Sequence, residues 1–408
     1  MLESTLVRGQ TVGWVLRFAI LSTALPDTGA GSVIPILELM MQDMPNVSPS
    51  LIQMMFTVPS ICLIICPPLY NKIVSFVSRK TLLVVALFLF LIGSIGPIYS
   101  NNIYIILFFR FLLGTASGIY SPITIDLAVS YFEGDSQREL LGYCYCFTSI
   151  GGILYQTLGG FFGATDWHQA FWANMIAIPF FLFAILFVPG EKREQTVRVA
   201  ESTTVEKVKV SPTFAEVALL GVSLFNEMCL FVLTTCSSTY IIAGGYGDSR
   251  IAGLAVSMFM VGGILISPMF CRIFNVFRWH TLVVGNLFLA TGLGCYALGD
   301  SIVMCFVGAT LCGFAQALFL PCMQNLLAVI APSHRKSTAP TLTYTARGLG
   351  GFISPYVFAL IYALMGTAIG RPSFIYGTIV VGILILSMLM ILRKIKPVGD
   401  AYLTCPVD

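Results

Sequence analysis

Twelve apolar runs, each long enough to cross a hydrocarbon core of about 30 Å as a helix, leave this chain little choice of fold. They fall near residues 14–39, 51–70, 80–99, 103–125, 140–164, 170–189, 214–242, 251–271, 281–299, 302–330, 338–365 and 372–392. Charged residues make up 10% of the chain and hydrophobic ones 57%, whereas a soluble domain is about a quarter charged. The expectation is an all-α membrane protein of twelve transmembrane helices.

The basic residues set its orientation, because Lys and Arg collect on the cytoplasmic side. With the N-terminus inside, the inner segments hold Arg8, Arg17, Lys72, Arg79, Lys80 and Arg138, then Lys192, Arg193, Arg198, Lys207 and Lys209. The later ones add Arg272, Arg278, Arg335, Lys336, Arg393, Lys394 and Lys396. Arg250 and Arg371 alone fall outside, and Arg110 and Arg347 lie within spans. Both termini are therefore expected in the cytoplasm, with the protein in the plasma (inner) membrane. The net charge of +3 is this inner bias summed and gives no reason to expect nucleic acid as a partner.

Two strings near the N-terminus imitate targeting signals: a basic, apolar and small-residue run, and Leu25 to Gly29 as LPDTG. Removing the first span would spoil the charge alternation, and a sorting signal belongs near a C-terminus, so the span is kept. Cys62, Cys66, Cys144, Cys146, Cys229, Cys236, Cys295, Cys305, Cys312 and Cys322 all fall in spans, where they act as small apolar residues, and no His/Cys ligand spacing is present. No cofactor or metal is expected.

Span four places one arginine inside an otherwise apolar stretch, NIYIILFFRFLLGTASGIYSPITID. An arginine at that depth costs several kcal/mol in lipid, so Arg110 should face a partner or a wet cavity. The small residues after it, Gly114, Ala116, Ser117 and Gly118, allow close approach of neighbouring helices.

The chain also repeats itself. A shift of 200 residues aligns Pro68 with Pro268, Thr81 with Thr281 and Leu87-Phe88-Leu89 with Leu287-Phe288-Leu289. A shift of 199 aligns Gly114 with Gly313, Pro122 with Pro321 and Gly151-Gly152 with Gly350-Gly351. Spans three, four and five thus match nine, ten and eleven. Two six-helix bundles in tandem follow, residues 1–190 and 212–408, joined by a cytoplasmic linker at 191–211.

A parallel six-plus-six repeat resembles the major facilitator superfamily, whose site lies at the interface of the pseudo-twofold halves near the bilayer midplane. Arg110 to Gly118, RFLLGTASG, resembles the fourth-span motif of its proton-coupled members. Asp27-Thr28 through Pro35 resembles the first-span aspartate motif of drug:proton antiporters, and Trp167 to Phe171 the start of their sixth span. Two motifs depart. The loop between spans two and three keeps only Arg79 and Lys80 of the usual charged set. Span five has Tyr155-Gln156 where the exporter signature has Gly-Pro.

At 1.5 Å per residue, Asp27 and Arg110 each come to lie about 20 Å from the inner surface. A carboxylate facing a guanidinium in a low-dielectric cleft makes Asp27 the protonatable group and Arg110 the residue that tunes it. Glu227 stands 200 residues after Asp27, in the register of the repeat, as a second proton or cation site. Arg347 in span eleven either contacts an anionic solute or neutralises Glu227. Asp126, with Arg79 and Lys80, reads as an interfacial gate in which the carboxylate bonds to nearby backbone. Gln156, Asn226, Gln316, Gln324 and Asn325 would line the path, and Tyr120, Tyr155 and Phe319 would stack on an aromatic or lipophilic solute.

The resemblance implies a secondary active transporter rather than an enzyme, a monomer whose partners are protons, a small-molecule substrate and the bilayer. It further implies proton-coupled efflux of amphipathic organic compounds by alternating access. The alternative is uptake or exchange of a small organic anion or metabolite, supported by two buried arginines facing two buried acids.

Overall fold

The structure, a computed structural model, describes residues 5–7, 10–74, 76–132, 134–188, 213–331 and 342–394. The expected linker at 191–211, and Arg335 and Lys336, lie outside the described residues. Among those described, every apolar run is helical. The helices are α1 (Trp14–Asp43), α2 (Pro49–Ile73), α3 (Arg79–Tyr99), α4 (Ile103–Tyr131), α5 (Gly134–Phe162) and α6 (Trp167–Phe187), then α7 (Phe214–Ala243), α8 (Ser249–Ile266), α9 (Thr281–Leu298), α10 (Ile302–Ile330), α11 (Leu342–Met365) and α12 (Arg371–Lys394). By length and hydropathy ten described stretches could cross a membrane. One of these, Ser249–Leu298, is 50 residues long and contains both α8 and α9. α5 is a further helix of 29 residues, made less apolar by its polar first turns.

Among the described residues the fold is all-α apart from one small hairpin. Two short strands, β1 (Thr5–Val7) and β2 (Gln10–Val12), pair antiparallel ahead of α1, where Thr and Val favour extended backbone. Inside α1, Leu25–Ile36 is a 3-10 helix of 12 residues, and α6 opens with another of 10, Trp167–Ile176. Such runs rarely exceed three or four residues. In α1 the sequence supplies a reason: Pro26 and Pro35 have no N–H to donate, and Gly29 and Gly31 loosen the turns between them.

By contacts the chain divides into two compact units. One takes Met1–Val33 and Met55–Val205, the other Ile34–Met54 and Glu206–Asp408. The expected boundary thus differs at Ile34–Met54, which belongs with the second unit. Gln53 Nε2 donates to the Thr235 carbonyl of α7 at 3.3 Å, one of the contacts that carries it there.

The first unit closes over Phe90, Leu113, Tyr120 and Phe181. The second has one cluster around Leu293, Tyr296 and Phe374, the two rings stacked at 4.5 Å, and another around Phe319 and Met323. α7 begins with a capping box, Thr213 N–H donating to Glu216 Oε2 at 2.6 Å.

The sequence repeat recurs as repeated contacts. Gly151 of α5 sits so close to α1 that a Cβ would collide with the Leu25 carbonyl, and Gly350 of α11 stands in the same relation to Leu224 of α7. Gly114 of α4 meets the backbone of Pro59, and Gly313 of α10 that of Phe259. Between α8 and α9 the short helix Phe270–Phe277 ends at Arg278, a non-glycine residue at φ 52°. Backbone in that region is strained by about 1–3 kcal/mol.

Candidate functional site

Arg110 is fully buried on α4, yet it has no carboxylate partner among the described residues. Its Nε donates to the Met55 carbonyl at 2.8 Å, and a terminal nitrogen donates to the Ala30 carbonyl at 2.6 Å. The guanidinium carbon lies 6.0 Å from the Phe171 ring centroid. The Met55 carbonyl is free because the residue four positions on is Pro59, which has no N–H to return to it. Arg110 fills the acceptor that the proline leaves open.

This corrects the expected pairing with Asp27. Asp27 lies on the first turn of the 3-10 segment, half-buried, and forms neither an ion pair nor a hydrogen bond among the described residues. The Tyr120 hydroxyl donates to the neighbouring Pro26 carbonyl at 2.5 Å and shares a hydrogen bond with Ser117 at 2.9 Å. Tyr120 and Tyr155 are wholly buried, as is Phe319 in the second unit, so all three pack helices rather than offer ring faces to a solute. Gln156 is also buried, its Oε1 without a partner.

The second unit forms the pair the sequence left open. Arg347 Nε donates to Glu227 Oε2 at 2.7 Å and a terminal nitrogen to Oε1 at 3.0 Å. Gln316 Nε2 approaches Oε2 at 3.4 Å. Two parallel charge-assisted hydrogen bonds are the strong form of this contact. Beside it Asn226 donates to Asn286 Oδ1 at 2.9 Å, and Asn286 donates to the Leu282 carbonyl at 2.9 Å. Gln324 Nε2 donates to Thr343 Oγ1 at 3.5 Å, and Asn325 is exposed.

At the other ends of α2, α3 and α4, Asp126 accepts from Arg79 Nε at 2.6 Å and from a terminal nitrogen at 2.8 Å. Tyr70 O–H donates to the same carboxylate at 2.6 Å, and Arg79 also donates to Ser130 at 3.0 Å. The expected backbone bonding of Asp126 is thus replaced by side chains, and Lys80 is not among them. Sequence reasoning missed Tyr70 and Ser130. Ser130 stands one helical turn after Asp126, a spacing that would have pointed to it.

At the start of α12, Arg371 contacts Asp300 in the loop between α9 and α10, Tyr246 and the Gly299 carbonyl, and its contact holds the Asp300 carboxyl below its usual range. Arg371 and Tyr246, with Tyr240 among others, line a cavity of about 240 Å³. No cluster of His, Cys, Asp and Glu suited to a metal occurs among the described residues.

The family model described as Major Facilitator Superfamily matches residues 19–249 and again 219–402. Among solved structures, the nucleoside transporter NupG superposes with a TM-score of 0.74 at 11% identity, over 92% of this chain and 99% of that one. A D-xylose-proton symporter superposes with a TM-score of 0.70 at 17% identity, over 95% and 98%. No curated protein matches in sequence.

Proposed function

Since the chain belongs to the Major Facilitator Superfamily, a family of membrane transporters, we propose that it is a secondary transporter that takes up a small polar organic solute together with protons. The observation that carries the proton coupling is the unpartnered carboxyl of Asp27 inside an apolar span. An acid in such a place defaults to a functional role, and one with no cation beside it loses little on protonation. Glu227, by contrast, is bonded twice by Arg347. The two acids in one register of the repeat therefore take different parts: Asp27 carries the proton, and the Glu227–Arg347 pair opens to polar groups of the solute. Arg110 braces α1 through the Ala30 carbonyl, and Arg79 with Asp126 latches α2, α3 and α4 at the cytoplasmic side.

Uptake is favoured over efflux of lipophilic compounds for two reasons. The aromatic residues that would have formed a greasy pocket are spent in packing, and the polar groups near Glu227 suit hydroxyl, amide or carboxylate groups. The structural neighbours carry solutes of this kind, a nucleoside transporter and a D-xylose-proton symporter. Proteoliposomes holding a pH-sensitive dye test the reading. Addition of nucleosides, pentoses or small carboxylates in turn should acidify the lumen with at least one class. Acidification by none of them, with proton efflux on adding lipophilic cations, would replace uptake by export.

A further inference from the structure

The turn between α8 and α9 is not used by the proposed transport cycle. The helix Phe270–Phe277 buries Phe274 against Phe270, stacked at 5.8 Å, and Trp279, edge-on at 5.5 Å. Its other side is exposed: Met269, Arg272 and Val276 follow one another at spacings of three and four, so they fall on one line. Val276 is 75% exposed and Phe277 47%. Arg278 then holds a strained backbone, with Trp279 and His280 completing the turn. Between Asp248 and Asp300 the chain has no acidic residue.

We propose that this turn is a binding site for an anionic phospholipid of the inner leaflet. Val276, Phe277 and Met269 sit among the upper acyl carbons, and Arg272 reaches from between them to the headgroup phosphate. The orientation read from Lys and Arg puts the turn on the cytoplasmic side, where anionic lipid is concentrated. An arginine set between apolar side chains on an exposed line fits that boundary better than it fits either water or hydrocarbon. Arg278 supplies a second positive charge beside it.

Trp279 reports on the site. The full chain is placed in phosphatidylcholine vesicles containing 20% of either brominated phosphatidylglycerol or brominated phosphatidylcholine, and quenching is compared between the protein and its Trp279→Phe variant. The Trp279 component should be quenched at least twofold more by the brominated anionic lipid. That preference should vanish in Arg272→Gln and persist in Arg272→Lys. Should Arg272→Gln not fold, Val276→Ser serves, and weaker quenching by the anionic lipid is expected. Equal quenching by the two lipids, or a preference unchanged in Arg272→Gln or Val276→Ser, overturns the proposal.

Discussion

Glu227 and Arg347 are joined by two hydrogen bonds, 2.7 and 3.0 Å, whereas Asp27, which stands at the matching place of the first repeat, has no partner among the described residues. A duplicated framework thus holds two acids in opposite electrostatic conditions. In the proposed cycle that difference assigns the proton to Asp27 and leaves Glu227 paired.

Asp27→Asn is expected to abolish accumulation driven by a pH gradient while leaving downhill counterflow of the same solute. Accumulation and counterflow measured in one proteoliposome preparation decide it. Normal accumulation by the variant would remove Asp27 from coupling.

Glu227→Ala removes the carboxylate that Arg347 bonds twice and should cost about 3 kcal/mol of stability. Glu227→Ala with Arg347→Ala should cost less than the sum of the two single substitutions, since the guanidinium leaves together with its carboxylate. Thermal unfolding of Glu227→Ala, Arg347→Ala and the double variant checks this. Additive losses would mean the pair is not coupled.

Arg110→Met should destabilise the first unit by about 2 kcal/mol, because the Met55 carbonyl loses its donor. Pro59→Ala restores an N–H four residues after Met55 and should recover part of the loss in the Arg110→Met background. If Pro59→Ala lowers the unfolding temperature equally in both backgrounds, the carbonyl account fails.

Arg79→Lys should behave nearly as badly as Arg79→Ala, since an ammonium cannot bond both Asp126 oxygens and Ser130 together. Transport rate and unfolding temperature are the readouts, and wild-type behaviour of Arg79→Lys would show that charge alone suffices.

The Arg371 contact depresses the carboxyl of Asp300, so whatever stability it adds is present above the unfolded value of 3.8 and is lost as pH falls through the lower folded value. The unfolding temperatures of the protein and of Asp300→Asn should therefore converge on acidification below that value. A gap that is constant with pH would exclude the linkage.

Helices, repeat and acid register were legible because they depend on hydropathy and spacing, which survive without tertiary contacts. The place of Arg347 beside Glu227 was one of two readings that the sequence left open, and only side-chain geometry chose. The partner of Arg110 was hidden for a different reason. Its acceptors are backbone carbonyls, one on α2 made available by a proline four residues later and one on α1, and no side chain announces either. Tyr70 and Ser130 were missed because they acquire meaning only around Asp126, and Ile34–Met54 changed units through contacts such as Gln53 to Thr235.

The 3-10 segment Leu25–Ile36 stretches twelve residues over about 24 Å, where an α-helix of the same residues would span about 18 Å. The first span therefore stores roughly one α-turn of spare length. Rewinding it as α-helix would shorten the span by that amount, and because the two helices wind at different angles per residue, it would also swivel Asp27 about the axis.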